Sequence, residues 1–454
     1  MPLLDKGHEL ILGVLASRGI ASSRELQNAT GKSQPTVSRL LADLSTHIVA
    51  LGRARATRYG VPKPIRGLPA QQPVYWTSED GTARQIGTLS LLANDIVHVD
   101  SEAIESTTTG ALPWYLTPLQ AQGFLGRLLA HRLSPQGIGS NPESWSVETM
   151  LFAALHLHDA AGAITIGEAG GGAHMHASLP IDTAQLPAAL DALAVDVART
   201  LPAGSSAGGE QPKFLALLEN GQHVLVKFTP PKGTPFGDRW GDLLRAESLA
   251  SSNHARHGVP VAATYIVEST VRTYHIAERF DRIGDRGRRH VVSVGAAHAG
   301  FVPVAYSNWG ATCEALARQR RLSSEDAARA TALLQFGRLI GNSDMHSGNL
   351  GLVVRREDLG LGRFSLAPVY DMLPMRWRPD ATLGGAPEFS PFEPDTLSVD
   401  SSAAGPAHEF WAELASHGRV SRALRRVAAE MARRIRPPTA TAEAMNKPAA
   451  HSPT

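Results

Sequence analysis

The sequence predicts a mixed α/β (α+β) protein, with a small helical head in front of a larger body in two parts. Three observations predict it. Residues 7–59 read as helix, helix, glycine-containing turn, helix and hairpin. Residues 214–228 form two apolar runs around Asn220-Gly221, a strong signal for a tight hairpin. Residues 332–369 pass from an apolar stretch of helical period, through a polar loop, into two strand-like runs. A chain of 454 residues has room for two or three domains and a sizeable core. Boundaries are placed at 1–65 for the head, at 66–285 and 286–436 for the body, and at 437–454 for a tail rich in Pro, Ala and Thr. The tail lacks apolar period and is expected to be disordered.

Composition narrows the function classes. Hydrophobic residues make up 43% and charged residues 19%, an ordinary globular balance. No apolar run of about eighteen residues occurs, so no membrane-spanning helix is expected. Met1-Pro2-Leu3-Leu4-Asp5-Lys6 lacks the basic-then-apolar pattern of a secretion signal, and a cytoplasmic location is the expectation. Cys313 is the sole cysteine, which excludes an intrachain disulfide and a cysteine-built zinc site. Net charge is +2, yet residues 1–65 carry +5 and the remainder −3. A basic head on a mildly acidic body points to nucleic acid as the partner of the head.

The head is read from its caps. Residues 7–18 form a helix with Leu10, Ile11, Val14 and Leu15 on one face. Ser22 and Glu25 make a capping box for a second helix, and Thr30-Gly31-Lys32 supplies the turn. A third helix starts at Ser33, takes Pro35 in its first turn, and buries Val37, Leu40, Leu41 and Leu44. That leaves Gln34, Thr36, Ser38 and Arg39 facing outward, all side chains that reach base edges or phosphates. Residues 48–59 then read as a hairpin carrying Arg53, Arg55 and Arg58. The segment resembles winged helix-turn-helix domains, and double-stranded DNA is its expected partner. Gly31-Lys32-Ser33 is not a phosphate loop, because Leu26 stands where that motif needs its first glycine.

In the body, residues 74–99 predict a small sheet, residues 124–133 and 150–157 helices, and residues 163–166 a short strand. The stretch Gly204-Ser205-Ser206-Ala207-Gly208 fits the spacing of a hydrolase nucleophile elbow, but Pro202 and Pro212 replace the strand and helix that an elbow requires. A glycine loop whose backbone N–H groups approach phosphates fits better, with Gly208 and Gly209 at its bend. Lys227 follows on the second strand of the hairpin, and Glu247, on a helix over 240–252, is placed to pair with it. Residues 274–282 form a strand leading to a basic hairpin over 284–289, and the backbone around Glu278-Arg279-Phe280 suits an adenine edge, as in kinase hinges. The polar loop Gly341-Asn342-Ser343-Asp344-Met345-His346-Ser347-Gly348-Asn349 then separates Asp344 from Asn349 by five positions. That is the interval between the base and the metal-binding amide of a protein-kinase catalytic loop, and Asp371 falls where a second metal ligand follows.

Beyond this order, the wording resembles the HipA-like serine/threonine kinases, toxins of type II toxin–antitoxin systems. The matching pieces are Ser206-Ala207-Gly208-Gly209-Glu210-Gln211-Pro212-Lys213, Glu278-Arg279-Phe280-Asp281-Arg282, Gly341-Asn342-Ser343-Asp344-Met345-His346 with Asn349, and Tyr370-Asp371. The resemblance implies a two-lobed, protein-kinase-like HipA fold that transfers the γ-phosphoryl group of ATP to a protein Ser/Thr. It implies Asp344 as general base, Asn349 and Asp371 as Mg2+ ligands, and Lys227 on the ATP phosphates. Glu278 and Phe280 would flank the adenine, with Gly208, Gly209 and His346 also at the nucleotide. Ser206 would be an autophosphorylation site that switches the enzyme off. Two departures stand out: Gly348 replaces a lysine common in the family, and the head is fused to the chain, which leaves a separate antitoxin partner open. Two other classes remain at this point, a DNA-binding regulator that only senses nucleotide and a metal-dependent nuclease built on Asp344, His346 and Asp371.

Overall fold

The carboxylate of Asp5 accepts the N–H groups of Gly7 and His8, and the His8 ring accepts the Asp5 N–H in return; this box opens α1 (Lys6–Arg18). The computed structural model describes residues 5–52, 56–157, 159–167, 180–200, 211–380, 385–394 and 401–435. The tail 437–454, the glycine loop around Ser206, Gly208 and Gly209, and Arg53 and Arg55 lie outside the described residues.

Strand β1 (Ile20–Ser22) leads into α2 (Ser23–Thr30), which has its Ser22–Glu25 capping box and ends at Gly31 with φ +65°. Helix α3 (Gln34–Asp43) and strands β2 (Val49–Leu51) and β3 (Arg58–Gly60) follow, the strands forming a small sheet in the order β1-β3-β2. Ile11, Leu15, Leu26, Val37, Leu40, Leu41 and Leu44 make the core of the head. Leu10 does not join them: it is 43% exposed, about 100° round the helix from the Ile11–Leu15 stripe.

The chain divides into two units, each interrupted in sequence. The first comprises Met1–Ala177, Asp281–Val292 and Val353–Phe364. Besides the head it holds an antiparallel sheet of β4 (Gln71–Thr77), β5 (Ala83–Leu92), β6 (Ile96–Ser101), β7 (Glu105–Thr109) and β8 (Ile164–Ile166), in the order β7-β6-β5-β4-β8. Helices α4 (Gly123–Arg132) and α5 (Val147–Leu155) lie in the same unit. The head rests on the β5–β6 turn, where Asn94 donates to the Ser17 carbonyl at 2.9 Å. Gly19, at φ +80°, sits where a Cβ would come within 2.5 Å of Ile96 Cδ1, so only glycine fits.

The second unit comprises Ser178–Phe280, Ser293–Leu352 and Ser365–Thr454. Helix α6 (Leu186–Thr200) covers one face of a four-stranded antiparallel sheet built from β9 (Lys213–Leu217), β10 (His223–Phe228), β11 (Thr264–Glu268) and β12 (Thr273–Glu278). Its strand order is β11-β12-β10-β9, and helix α7 (Pro235–Arg256) precedes β11 in the chain. Helices α8 (Val294–Phe301), α9 (Trp309–Arg318), α10 (Ser324–Leu339), α11 (Ser401–Ser416) and α12 (Arg422–Arg434) make up the rest. The run 364–369, expected as one strand, keeps only Ser365–Leu366 as strand, because Val369 is drawn into a separate parallel bridge with Val261. Among the described residues no helix is long and apolar enough to cross a membrane.

Candidate active site

Side chains alternate along β10, and this alternation fixes where Lys227 points. Val224, Val226 and Phe228 pack with Leu186, Leu190 and Ala194 of α6, so Lys227 emerges on the opposite face of the sheet. The register sets Lys213 across from it on β9 and His275 across from it on β12. The Lys227 Nζ lies 2.6 Å from Glu247 Oε1 on α7 and 2.5 Å from Asp371 Oδ1. Lys227 and Glu247 are buried, with side chains 7% and 3% exposed, whereas Asp371 is 25% exposed and faces outward in part. Burial alone would push the Lys227 ammonium down, but Asp371 and Glu247 outweigh it and hold it above its ordinary value. Burial would likewise raise Asp371, yet Lys227 and Lys213 hold its carboxyl well below the usual carboxylate range.

The catalytic-loop candidate is shaped by what precedes it. Helix α10 ends where Trp411 donates to the Leu339 carbonyl at 3.1 Å, and Gly341 turns the chain at φ +74°. A Cβ on Gly341 would lie 2.8 Å from Arg376 Cδ, and one on Gly337 would collide with the Met345 sulfur folded back over the helix. Buried Asn342 then links both acidic residues. Its Oδ1 accepts the Asp344 N–H at 3.0 Å, and its Nδ2 donates to the Asp371 carbonyl at 3.3 Å. Asn349 donates through Nδ2 to the Asp344 carbonyl at 2.8 Å, which leaves its Oδ1 as an oxygen donor. Asp371 sits at φ +61°, a left-handed backbone uncommon outside glycine.

At the end of β12, Glu278 is held by its backbone N–H to the Ala263 carbonyl at 2.8 Å, and Phe280 stacks on Tyr370 with ring centroids 5.8 Å apart. The Tyr370 hydroxyl donates to the Gly348 carbonyl at 3.0 Å, so one side chain joins Phe280 to the loop 341–349. Trp309 donates to the His346 carbonyl at 2.9 Å, and the His346 ring accepts the Gly348 N–H, which turns that ring to shaping its own loop. Among the described residues no group of three or more His, Cys, Asp or Glu side chains is placed to hold a metal ion, so Asp344, His346 and Asp371 do not form a three-ligand set.

The structure therefore joins Lys227, Glu247, Asp371, Asn342, Asp344 and Asn349 in one hydrogen-bonded network. The sequence places Asn342 and Tyr370 inside matching stretches without giving either a role, and it gives no signal for His275. In the Glu278–Arg282 segment the last two residues play a different part. Arg282 is buried in the first unit, 2.7 Å from Asp281 and 2.6 Å from Asp159, as a structural ion pair.

Comparison with known proteins follows the same lines. Residues 205–438 match the family described as HipA-like C-terminal domain, and residues 68–173 match the YjjJ-like toxin, middle domain. The chain is 35% identical over 443 residues to Toxin YjjJ of Escherichia coli (strain K12), covering 93% of this chain and 96% of that protein. It belongs to the HipA-like toxin family.

Among solved structures, HipA from Shewanella oneidensis MR-1, in complex with HipB and operator DNA, aligns with a TM-score of 0.47 at 17% identity, over 82% of this chain and 93% of that one. The Helicobacter pylori proinflammatory kinase CtkA aligns with a TM-score of 0.34 at 14% identity, over 50% of this chain and 88% of that one. The HipA-like C-terminal match contains every residue of the network just described, from Lys227 to Asp371. The middle-domain match spans β4 to β8 of the first unit, and the head precedes both.

Proposed function

We propose that this HipA-like toxin is an ATP- and Mg2+-dependent serine/threonine protein kinase whose fused head binds double-stranded DNA. The observation that carries the reading is the network in which Lys227 sits between Glu247 and Asp371 while Asn342 ties Asp371 to Asp344. The donor chemistry fits ATP and Mg2+. The Asn349 amide oxygen and the Asp371 carboxylate are hard oxygen ligands suited to Mg2+, and Lys227 and Lys213 are cations suited to phosphate oxygens.

When bound, ATP with Mg2+ supplies the phosphoryl group and offsets its charge. Asp344 accepts the proton of a Ser/Thr hydroxyl, whose oxygen forms the new bond to phosphorus as the bond to ADP breaks. Asn349 and Asp371 would hold the metal, and Glu247 would hold Lys227 at the phosphates. Glu278 and Phe280 hold the adenine edge through backbone groups, with His346 in the nearby loop. Catalysis of this kind is mainly positioning and electrostatics. The role of Gly208 and Gly209 at the phosphates and of Ser206 as a switch rests on the family motif alone: a phosphate on Ser206 would add about −1.5 to −2 charge at neutral pH and repel the nucleotide.

The support for DNA binding is the element order of the head, α1-β1-α2-α3-β2-β3, with Gln34, Ser38 and Arg39 exposed on α3 and Thr36 half-buried against Ser33. Arg58 pairs with Glu25 at 3.6 Å, so Arg53 and Arg55 are the wing residues assigned to phosphate contact. The experiment is incubation of the purified chain with γ-labelled ATP and Mg2+, followed by mass spectrometry. Phosphate on the loop that contains Ser206 is the expected result; absence of transfer to the chain and to every protein in a cell extract contradicts the reading.

A further inference from the structure

His275 lies at the centre of β12, 1% exposed, directly across from Lys227 in the strand register. Its Nδ1 is 4.0 Å from Oε1 of Glu247, beyond hydrogen-bonding distance. Neither ring nitrogen of His275 has a hydrogen-bonding partner among the described residues, and neither does Oε2 of Glu247. Buried polar atoms are nearly always paired, so an unpaired imidazole beside an unpaired carboxylate oxygen calls for a reason.

We infer that His275 is a positioning residue of the nucleotide site, one that hydrogen-bonds Glu247 when Asp371 leaves Lys227 and so fixes Glu247 as the anchor of the ammonium. The inference rests on the nucleotide reading given above. In the structure two carboxylates share one ammonium, and their opposed pulls hold it in place. If Asp371 held the metal, Glu247 would hold Lys227 alone, and its unpaired oxygen would need a donor to keep the carboxylate in place.

The residue type suits this task. A lysine or arginine at position 275 would compete with Lys227 for Glu247, and an apolar residue would leave Glu247 unanchored. A neutral imidazole gives one N–H without altering the charge of the site, and burial favours that neutral form. The His275 ring already lies against this carboxylate, with Nδ1 4.0 Å from Oε1, and α7 and β12 on either side are regular elements of the same unit.

The test compares the full-length wild type with His275→Phe, which keeps a ring but no donor, and His275→Gln, which keeps a donor but no ring. ATP·Mg2+ affinity is measured by ligand-induced thermal shift. His275→Phe is expected to bind about tenfold more weakly, the loss of one hydrogen bond to a charged group, and His275→Gln to stay within about twofold. Wild-type affinity in His275→Phe, or an equal loss in His275→Gln, overturns the inference while leaving the nucleotide reading intact. A wild type with no response to ATP·Mg2+ overturns both. Should His275→Phe fail to fold, imidazole 15N spectra of the wild type decide. A His275 N–H that moves into the hydrogen-bonded range on adding ATP and Mg2+ supports the inference, and an unchanged resonance contradicts it.

Discussion

The Lys227 ammonium lies 2.5 Å from Oδ1 of Asp371, a residue 144 positions further along the chain. With Glu247 the ammonium makes a buried ion pair, and such pairs respond asymmetrically to mutation. Removing one member of a buried pair leaves a charge without compensation, which costs about 3–5 kcal/mol.

Lys227→Ala is therefore expected to destabilise the second unit by about 3–5 kcal/mol in urea denaturation. Lys227→Met combined with Glu247→Gln keeps the volume and removes both charges, and should recover about half of that loss. A loss below about 1 kcal/mol for Lys227→Ala would mean that the ammonium is solvated rather than clamped.

The first unit carries a pH dependence of its own. His290 is 1% exposed, accepts the Ala163 N–H at Nδ1 and hydrogen-bonds the Tyr115 carbonyl through Nε2. Burial pushes its pKa down to about 4. The unfolded chain thus takes up this proton first, at about 6.5. Stability is complete above that value and is lost as pH falls from about 6.5 to about 4, by about 3 kcal/mol in all. Urea denaturation between pH 7.5 and 4.5 should show this slope in the wild type and a shallower one in His290→Gln. An unchanged slope in the variant contradicts the assignment.

Binding of duplex DNA by the full-length chain should weaken steeply with salt, because Lys/Arg–phosphate contacts release counterions. Arg39→Ala should reduce affinity or relax sequence choice, by about 1–3 kcal/mol if Arg39 reads a base. A gel-shift assay checks both, and binding that ignores salt and Arg39 alike would remove DNA from the account of the head.

Much of this was legible in the chain because the signals were local. Ser22, Glu25 and Gly31 announce the ends of α2 through contacts within a few residues. The Asp344–Asn349 interval and the Lys227 strand were legible for the same reason. The pairing of Lys227 with Glu247 was open to inference, since a strand lysine and a buried helix glutamate form a recurring pair. Contacts set by tertiary packing were not legible. Nothing near Tyr370 in sequence announces its stacking on Phe280, and nothing near Arg282 announces Asp159. Val369 reads as strand by composition, yet its backbone N–H goes to Pro260 and its carbonyl to Ala262, which ends the strand early.

The most direct measurement of the central claim is transfer of label from γ-labelled ATP, with Mg2+, by the wild type, Asp344→Asn and Asp371→Asn, with ATP·Mg2+ affinity measured in parallel. Asp344 is assigned to the hydroxyl proton and Asp371 to the metal, so both variants should lose transfer by at least about a hundredfold. Only Asp371→Asn should also lose ATP·Mg2+ affinity. Transfer near the wild-type rate in both variants would contradict the account.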